Sequence, residues 1–67
     1  MTLGDRLYEL RNENHIKHKE MAEKLNVGFS CIYIWESGKS LPSLPAFDRI
    51  LKVFNMTYED FMKGVEL

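Results

Sequence analysis

Sixty-seven residues, 45% of them apolar, can close one small hydrophobic core and leave no chain for a second, which argues against an enzyme with a large pocket. A formal net charge of −1 carries none of the overall basic excess of many nucleic-acid binders, and a lone cysteine excludes an internal disulfide. No run approaches the ~20 apolar residues of a membrane span, and Met1-Thr2-Leu3-Gly4-Asp5 lacks the basic and apolar blocks of a secretory signal; a cytoplasmic domain held by packing is expected.

The first helix is expected to start after Thr2, whose hydroxyl can cap it, with Asp5 three residues on, where a capping box prefers Glu. Leu3, Leu7 and Leu10 form its buried stripe, Arg6, Glu9 and Glu13 a solvated face, and Asn12 to Asn14 the exit, after which Ile16 anchors the connection. The second helix begins near Lys17 and presents Met21, Ala22 and Leu25 on one face. Asn26 follows where a helix must stop, and Asn tolerates the left-handed backbone, so Asn26-Val27-Gly28 reads as a turn. The third helix begins at Phe29, turns Cys31, Ile32 and Trp35 inward, and ends at Gly38. After the loop 39–43, Ser43 caps a fourth helix with Pro45 in its first turn and Leu44, Phe47, Ile50, Leu51 and Phe54 at helical spacing; Asn55 stops it. Thr57 caps a short fifth helix with Asp60 in the capping-box position and Phe61 and Met62 as its apolar side. Gly64 ends it, leaving Val65, Glu66 and Leu67 as a frayed tail.

The organising stretch is Lys17 to Gly38, two short helices joined by a tight turn, an arrangement that reads DNA. Met21-Ala22-Glu23-Lys24-Leu25-Asn26-Val27, then Ile32, then Trp35-Glu36-Ser37-Gly38-Lys39, then Leu41-Pro42-Ser43-Leu44 closely resembles the lambda-repressor-like, Cro-type (XRE) helix-turn-helix regulators of bacteria and phages. The resemblance runs from about Leu7 to Phe61. It implies an all-α fold of five helices over residues 1–67 with the helix-turn-helix at about 17–38, and a sequence-specific DNA-binding regulator, expected to be a repressor.

Charge placement supports this more than net charge does. Between Lys17 and Ser43 four lysines (17, 19, 24, 39) and His18 face Glu20, Glu23 and Glu36, whereas the chain from Asn55 onward sets Glu59, Asp60 and Glu66 against Lys63. Lys17 departs from the Ser or Thr cap usual in the family. Its amides are therefore left to Glu20 or to a phosphate, and with Lys17, His18 and Lys19 they form a candidate anion site. The family places a backbone-contacting residue, usually Gln, where His18 stands.

The outward arc of the third helix carries Phe29, Ser30, Tyr33, Ile34 and Ser37. Ser30, Tyr33 and Ser37 can hydrogen-bond to base edges, while Phe29 and Ile34 can touch only thymine methyls or sugar, so reading leans on methyl contacts and DNA shape. The bland alternatives are that Phe29 packs against the second helix or a neighbouring subunit, Tyr33 is a plain surface tyrosine and Ile34 rims the core. In the following loop Lys39, Ser40 and Ser43 resemble the family's backbone-contacting loop. His15, His18 and Cys31 do not supply the ~4 ligands of a zinc site, so no metal or other cofactor is expected.

In related proteins the last helix often mediates pairing, which makes Tyr58, Phe61, Met62, Val65 and Leu67 candidates for a homodimer seam, with completion of the monomer core as the alternative for the first two or three. A second reading uses the same fold as a protein-interaction module, with Phe29, Tyr33 and Ile34 as an apolar patch for a protein partner. The chain carries no nucleophile-base pair and no glycine-rich phosphate loop, so no enzyme is expected.

Overall fold

Residues suited to helix ends rather than helix interiors bound most of the helices of this chain. The computed structural model describes residues 1–66, and these form α1 (Leu3–Glu13), α2 (His18–Leu25), α3 (Phe29–Glu36), α4 (Leu44–Phe54) and α5 (Tyr58–Met62), with no strand among them. Thr2 and Asp5 close a complete capping box on α1: the Asp5 amide donates to Thr2 Oγ1 (3.1 Å) and the Thr2 amide to Asp5 Oδ2 (2.9 Å). These bonds from Thr2 hold the Asp5 carboxyl below its ordinary pKa, because they favour its ionised form. Ser43 and Thr57 cap α4 and α5 by accepting from Ala46 N (3.3 Å) and Asp60 N (3.1 Å).

The first four helices stop by one device. A residue with positive φ (His15, Asn26, Gly38, Asn55) turns the chain. The next amide then bonds five residues back: Ile16 to Arg11 O, Val27 to Ala22 O, Lys39 to Ile34 O and Met56 to Leu51 O, at 2.9–3.2 Å. Ile16, Val27 and Met56 lean on the core, as the apolar residue after such a turn does. Gly38 takes its place without strain at φ 82°, whereas His15 does so as a non-glycine at 56°.

The core is formed by Leu7 and Leu10 of α1, Met21, Ala22 and Leu25 of α2, Ile32 and Trp35 of α3, Ala46 and Ile50 of α4 and Phe61 of α5, all buried. Helix α3 lies between α1 and α2, α4 rests on α2, and α5 closes on α1. The approach of α1 to α3 is so close that a Cβ at Gly4 would run into the Trp35 carbonyl and stand 2.8 Å from the Glu36 carbonyl. It brings the positive start of α1 to the negative end of α3.

Four expectations are corrected. Leu44, at the exposed start of α4, is 84% exposed instead of lying on the buried stripe, and Ala46 fills that role. Arg6 is not a solvated residue: its guanidinium donates to the carbonyls of Phe61 (2.8 Å) and Asp60 (3.0 Å), meeting carbonyls that short α5 cannot satisfy itself. The tail does not fray at Val65 and Glu66, since the Glu66 amide donates to Met1 O (2.8 Å) and Val65 is half-buried; Leu67 lies outside the described residues. Phe61 is wholly buried, edge-on to Phe47 at 5.2 Å, so it belongs to the monomer core and has no surface to lend to pairing.

Candidate nucleic-acid interface

Helices α2 and α3 meet over Met21, Ala22, Leu25, Ile32 and Trp35, and burial of these side chains dictates what remains outside. Phe29 (52%), Tyr33 (51%) and Ile34 (37%) are exposed along α3, together with Ser30 and Ser37. Half-buried Cys31 packs against the core. The start of α2 adds exposed Lys17 and Lys19 and partly covered His18. An open hollow of about 360 Å³ joins the two helices, lined by Arg11, Lys17, His18, Lys19, Phe29 and Tyr33. Four of these six carry positive charge or can acquire it by protonation.

As a lysine offers no acceptor, no side chain caps the first amides of α2; the Glu20 carboxylate instead accepts from the Lys17 amide (3.2 Å). Among the described residues no side chain bonds the first amides of α2, which stand with the positive end of its dipole beside two lysines. On the other flank Lys39 and Ser40 are exposed. Ser37 and Ser43 are already engaged: Ser37 Oγ donates to Ile34 O (2.8 Å) and Ser43 Oγ serves as the α4 cap. A hydroxyl used this way keeps acceptor capacity at Ser37 and its proton at Ser43.

Beneath the surface lies a network built on Glu36, a structural carboxylate by its place in the family pattern, whose partners the sequence reading did not name. Arg11, on the buried face of α1, donates from Nε to Glu36 Oε2 (2.6 Å), from Nη2 to Glu36 Oε1 (3.2 Å) and from Nη1 to Ile16 O (2.8 Å). The Arg11 and Glu36 side chains are 6% and 8% exposed, so this is a buried, two-pronged ion pair. Glu36 Oε1 also meets His18 Nε2 at 3.1 Å, and the His18 ring stacks on Tyr33 with centroids 4.0 Å apart and planes 14° from parallel. Phe29 adds a tilted contact to Tyr33 at 5.6 Å. A signal for Arg11 existed, since it follows Leu3, Leu7 and Leu10 at helical spacing on the apolar face, where a guanidinium requires a carboxylate partner.

The other predicted residues divide by place. Tyr58 is 54% exposed with its ring edge-on to Phe47 at 5.8 Å, and Met62 and Val65 are half-buried. Among the described residues no group of His, Cys, Asp and Glu could hold a metal ion, and no helix is long and apolar enough to cross a membrane.

A helix-turn-helix family profile matches residues 7–61. The chain is 33% identical over 67 residues to the HTH-type transcriptional activator BcrR of Enterococcus faecalis, covering all of this chain and 33% of that protein. It is 30% identical over 66 residues to the HTH-type transcriptional regulator DdrOP3 of Deinococcus deserti, covering 98% of this chain and 51% of that protein. The chain therefore spans between a third and about half of the length of these relatives. With the five-helix fold, the α2–α3 pair and this match over most of its length, the chain belongs to the Cro-like, XRE-type helix-turn-helix family of transcriptional regulators.

Proposed function

We propose that this chain is the sequence-specific DNA-binding unit of a transcription regulator, with α3 entering the major groove. The observation that carries the reading is the convergence of the uncapped, lysine-flanked start of α2 and the exposed arc of α3 on one hollow. Lys17, His18, Lys19, Lys39 and Ser40 hold phosphates, with Ser43 beside them. Phe29, Ser30, Tyr33, Ile34 and Ser37 face the bases, Ser30 and Tyr33 by hydrogen bonds and Phe29 and Ile34 by contact with thymine methyls. A homodimer, paired through Tyr58, Met62 and Val65 with Leu67 as a further candidate, would set two half-sites about 34–36 Å apart. Occupying promoter DNA makes repression the simplest outcome, although the similar BcrR is named an activator; a reporter promoter carrying the selected operator separates the two signs.

The reading is tested by fluorescence anisotropy against a pool of labelled duplexes at several salt concentrations. Log affinity should fall linearly with log salt, and Lys17→Ala and Lys39→Ala should each reduce that slope by about one. A folded protein that binds no duplex at low salt sinks it. The exposure of Phe29, Tyr33 and Ile34 favours one other use, docking of a protein partner. In that case Phe29→Ser with Ile34→Ser would abolish the interaction while the two lysine variants spare it.

A further inference from the structure

His18 is the one phosphate-side candidate whose ring the fold has immobilised. A carboxylate offers acceptors only, so the 3.1 Å bond between His18 Nε2 and Glu36 Oε1 needs its proton on Nε2. Glu36 cannot turn away, because Arg11 grips both of its oxygens. Tyr33 covers one face of the imidazole. Among the described residues no protein group bonds Nδ1, so His18 has this nitrogen left for a ligand. In the neutral ring Nδ1 is then an acceptor, which repels a phosphate oxygen, and it becomes a donor only in the imidazolium.

We propose that Glu36 is a positioning residue for DNA reading: by taking the Nε2 proton it sets the tautomer of His18, so that His18 grips a phosphate only when protonated and DNA binding takes up a proton. This rests on the DNA-binding reading above. The charged and titratable groups around the ring are Arg11 from α1, Glu36 and Tyr33 from α3, and Lys17 and Lys19 from its own segment. Arg11 already holds both oxygens of Glu36, and a DNA phosphate at Nδ1 supplies the charge complementary to an imidazolium. The same bond holds the ring on which Tyr33 is stacked, and so couples the phosphate grip to a base-facing side chain.

The test is operator affinity from pH 5.5 to 8.5 at constant ionic strength, using a duplex selected from the pool. Wild-type binding should weaken by about tenfold or more between pH 6 and pH 8, the behaviour of a site that binds one more proton in the complex. His18→Ala should be pH-independent and match the wild type at the alkaline end. Glu36→Gln offers Nε2 a donor as well as an acceptor, which frees neutral His18 to donate from Nδ1. Its profile should flatten with its alkaline affinity raised above that of the wild type, whereas a purely structural Glu36 would lower affinity at every pH and leave the slope intact. Should Glu36→Gln not fold, ¹⁵N chemical shifts of the wild-type imidazoles decide, with His15 as the internal comparison: His18 should rest as the Nε2–H tautomer at alkaline pH. A pH-flat wild type that still selects an operator, or an Nδ1–H or mixed His18, overturns this proposal and leaves the DNA-binding reading standing; absence of binding to any duplex overturns both.

Discussion

At residue scale, two residues on the buried face of α1, Gly4 and Arg11, set the geometry of the interface. Gly4 has no side chain because the backbone of α3 occupies the space, with the Trp35 and Glu36 carbonyls in the path of any Cβ. Those carbonyls cannot rotate away without unwinding the end of α3. Gly4→Ala is thus expected to lower stability despite alanine's better helix propensity, by about 2 kcal/mol or more. In a domain of this size that is a fall in Tm of roughly 8 °C or more, read by thermal circular dichroism. A Tm equal to or above the wild type would mean that α1 slides freely over α3. Arg11 is the second such residue. Its pairing with Glu36 satisfies a buried charge, and removing either partner alone leaves the other stranded, which typically costs about 3–5 kcal/mol.

At the scale of the element, α2 is the helix whose start is left incomplete. Ser43 and Thr57 show what its neighbours have, a hydroxyl that accepts an orphan amide; Lys17 has none to offer. Lys17→Ser should therefore stabilise the domain by about 1 kcal/mol, raising Tm by roughly 4–8 °C, while weakening DNA binding and lowering its salt slope by about one. Opposite movement of Tm and affinity is the outcome to look for, and an unchanged affinity would remove Lys17 from the phosphate contacts. Helix α3 presents the complementary case. Apolar residues lie on both its sides, Ile32 and Trp35 inward and Phe29 and Ile34 outward, so its sequence is poorly amphipathic although its packing is unambiguous.

For the whole molecule, the question left to the surface is pairing. Phe61 has gone into the core, and Tyr58 is the exposed aromatic at the start of α5. If two copies pair there, Tyr58→Glu should shift sedimentation toward the monomer and turn cooperative occupancy of a two-half-site operator into independent, weaker binding, with the monomer's Tm little changed. Sedimentation of the wild type as a monomer at high concentration, together with cooperative binding by the variant, would place the seam elsewhere.

Much of this protein is legible in its sequence alone. The five helices, their caps at Thr2, Ser43 and Thr57, the stops at Asn26, Gly38 and Asn55 and most of the core follow from local rules. Capping, left-handed turns and helical periodicity act within one or two turns of chain, and neighbours in sequence suffice to state them. The outward set on α3 was readable for the same reason, as the complement of its buried face. Tertiary structure decided the matters that depend on residues distant in sequence. Nothing near Gly4 says that α3 will lie against it, and nothing near Arg6 says that α5 will need its guanidinium. The Arg11, Glu36, His18 and Tyr33 network joins three helices, so it exists only once they pack. A cation on an apolar stripe announces that a partner is required; which carboxylate answers, and which ring it then holds, is settled by the crossing of helices.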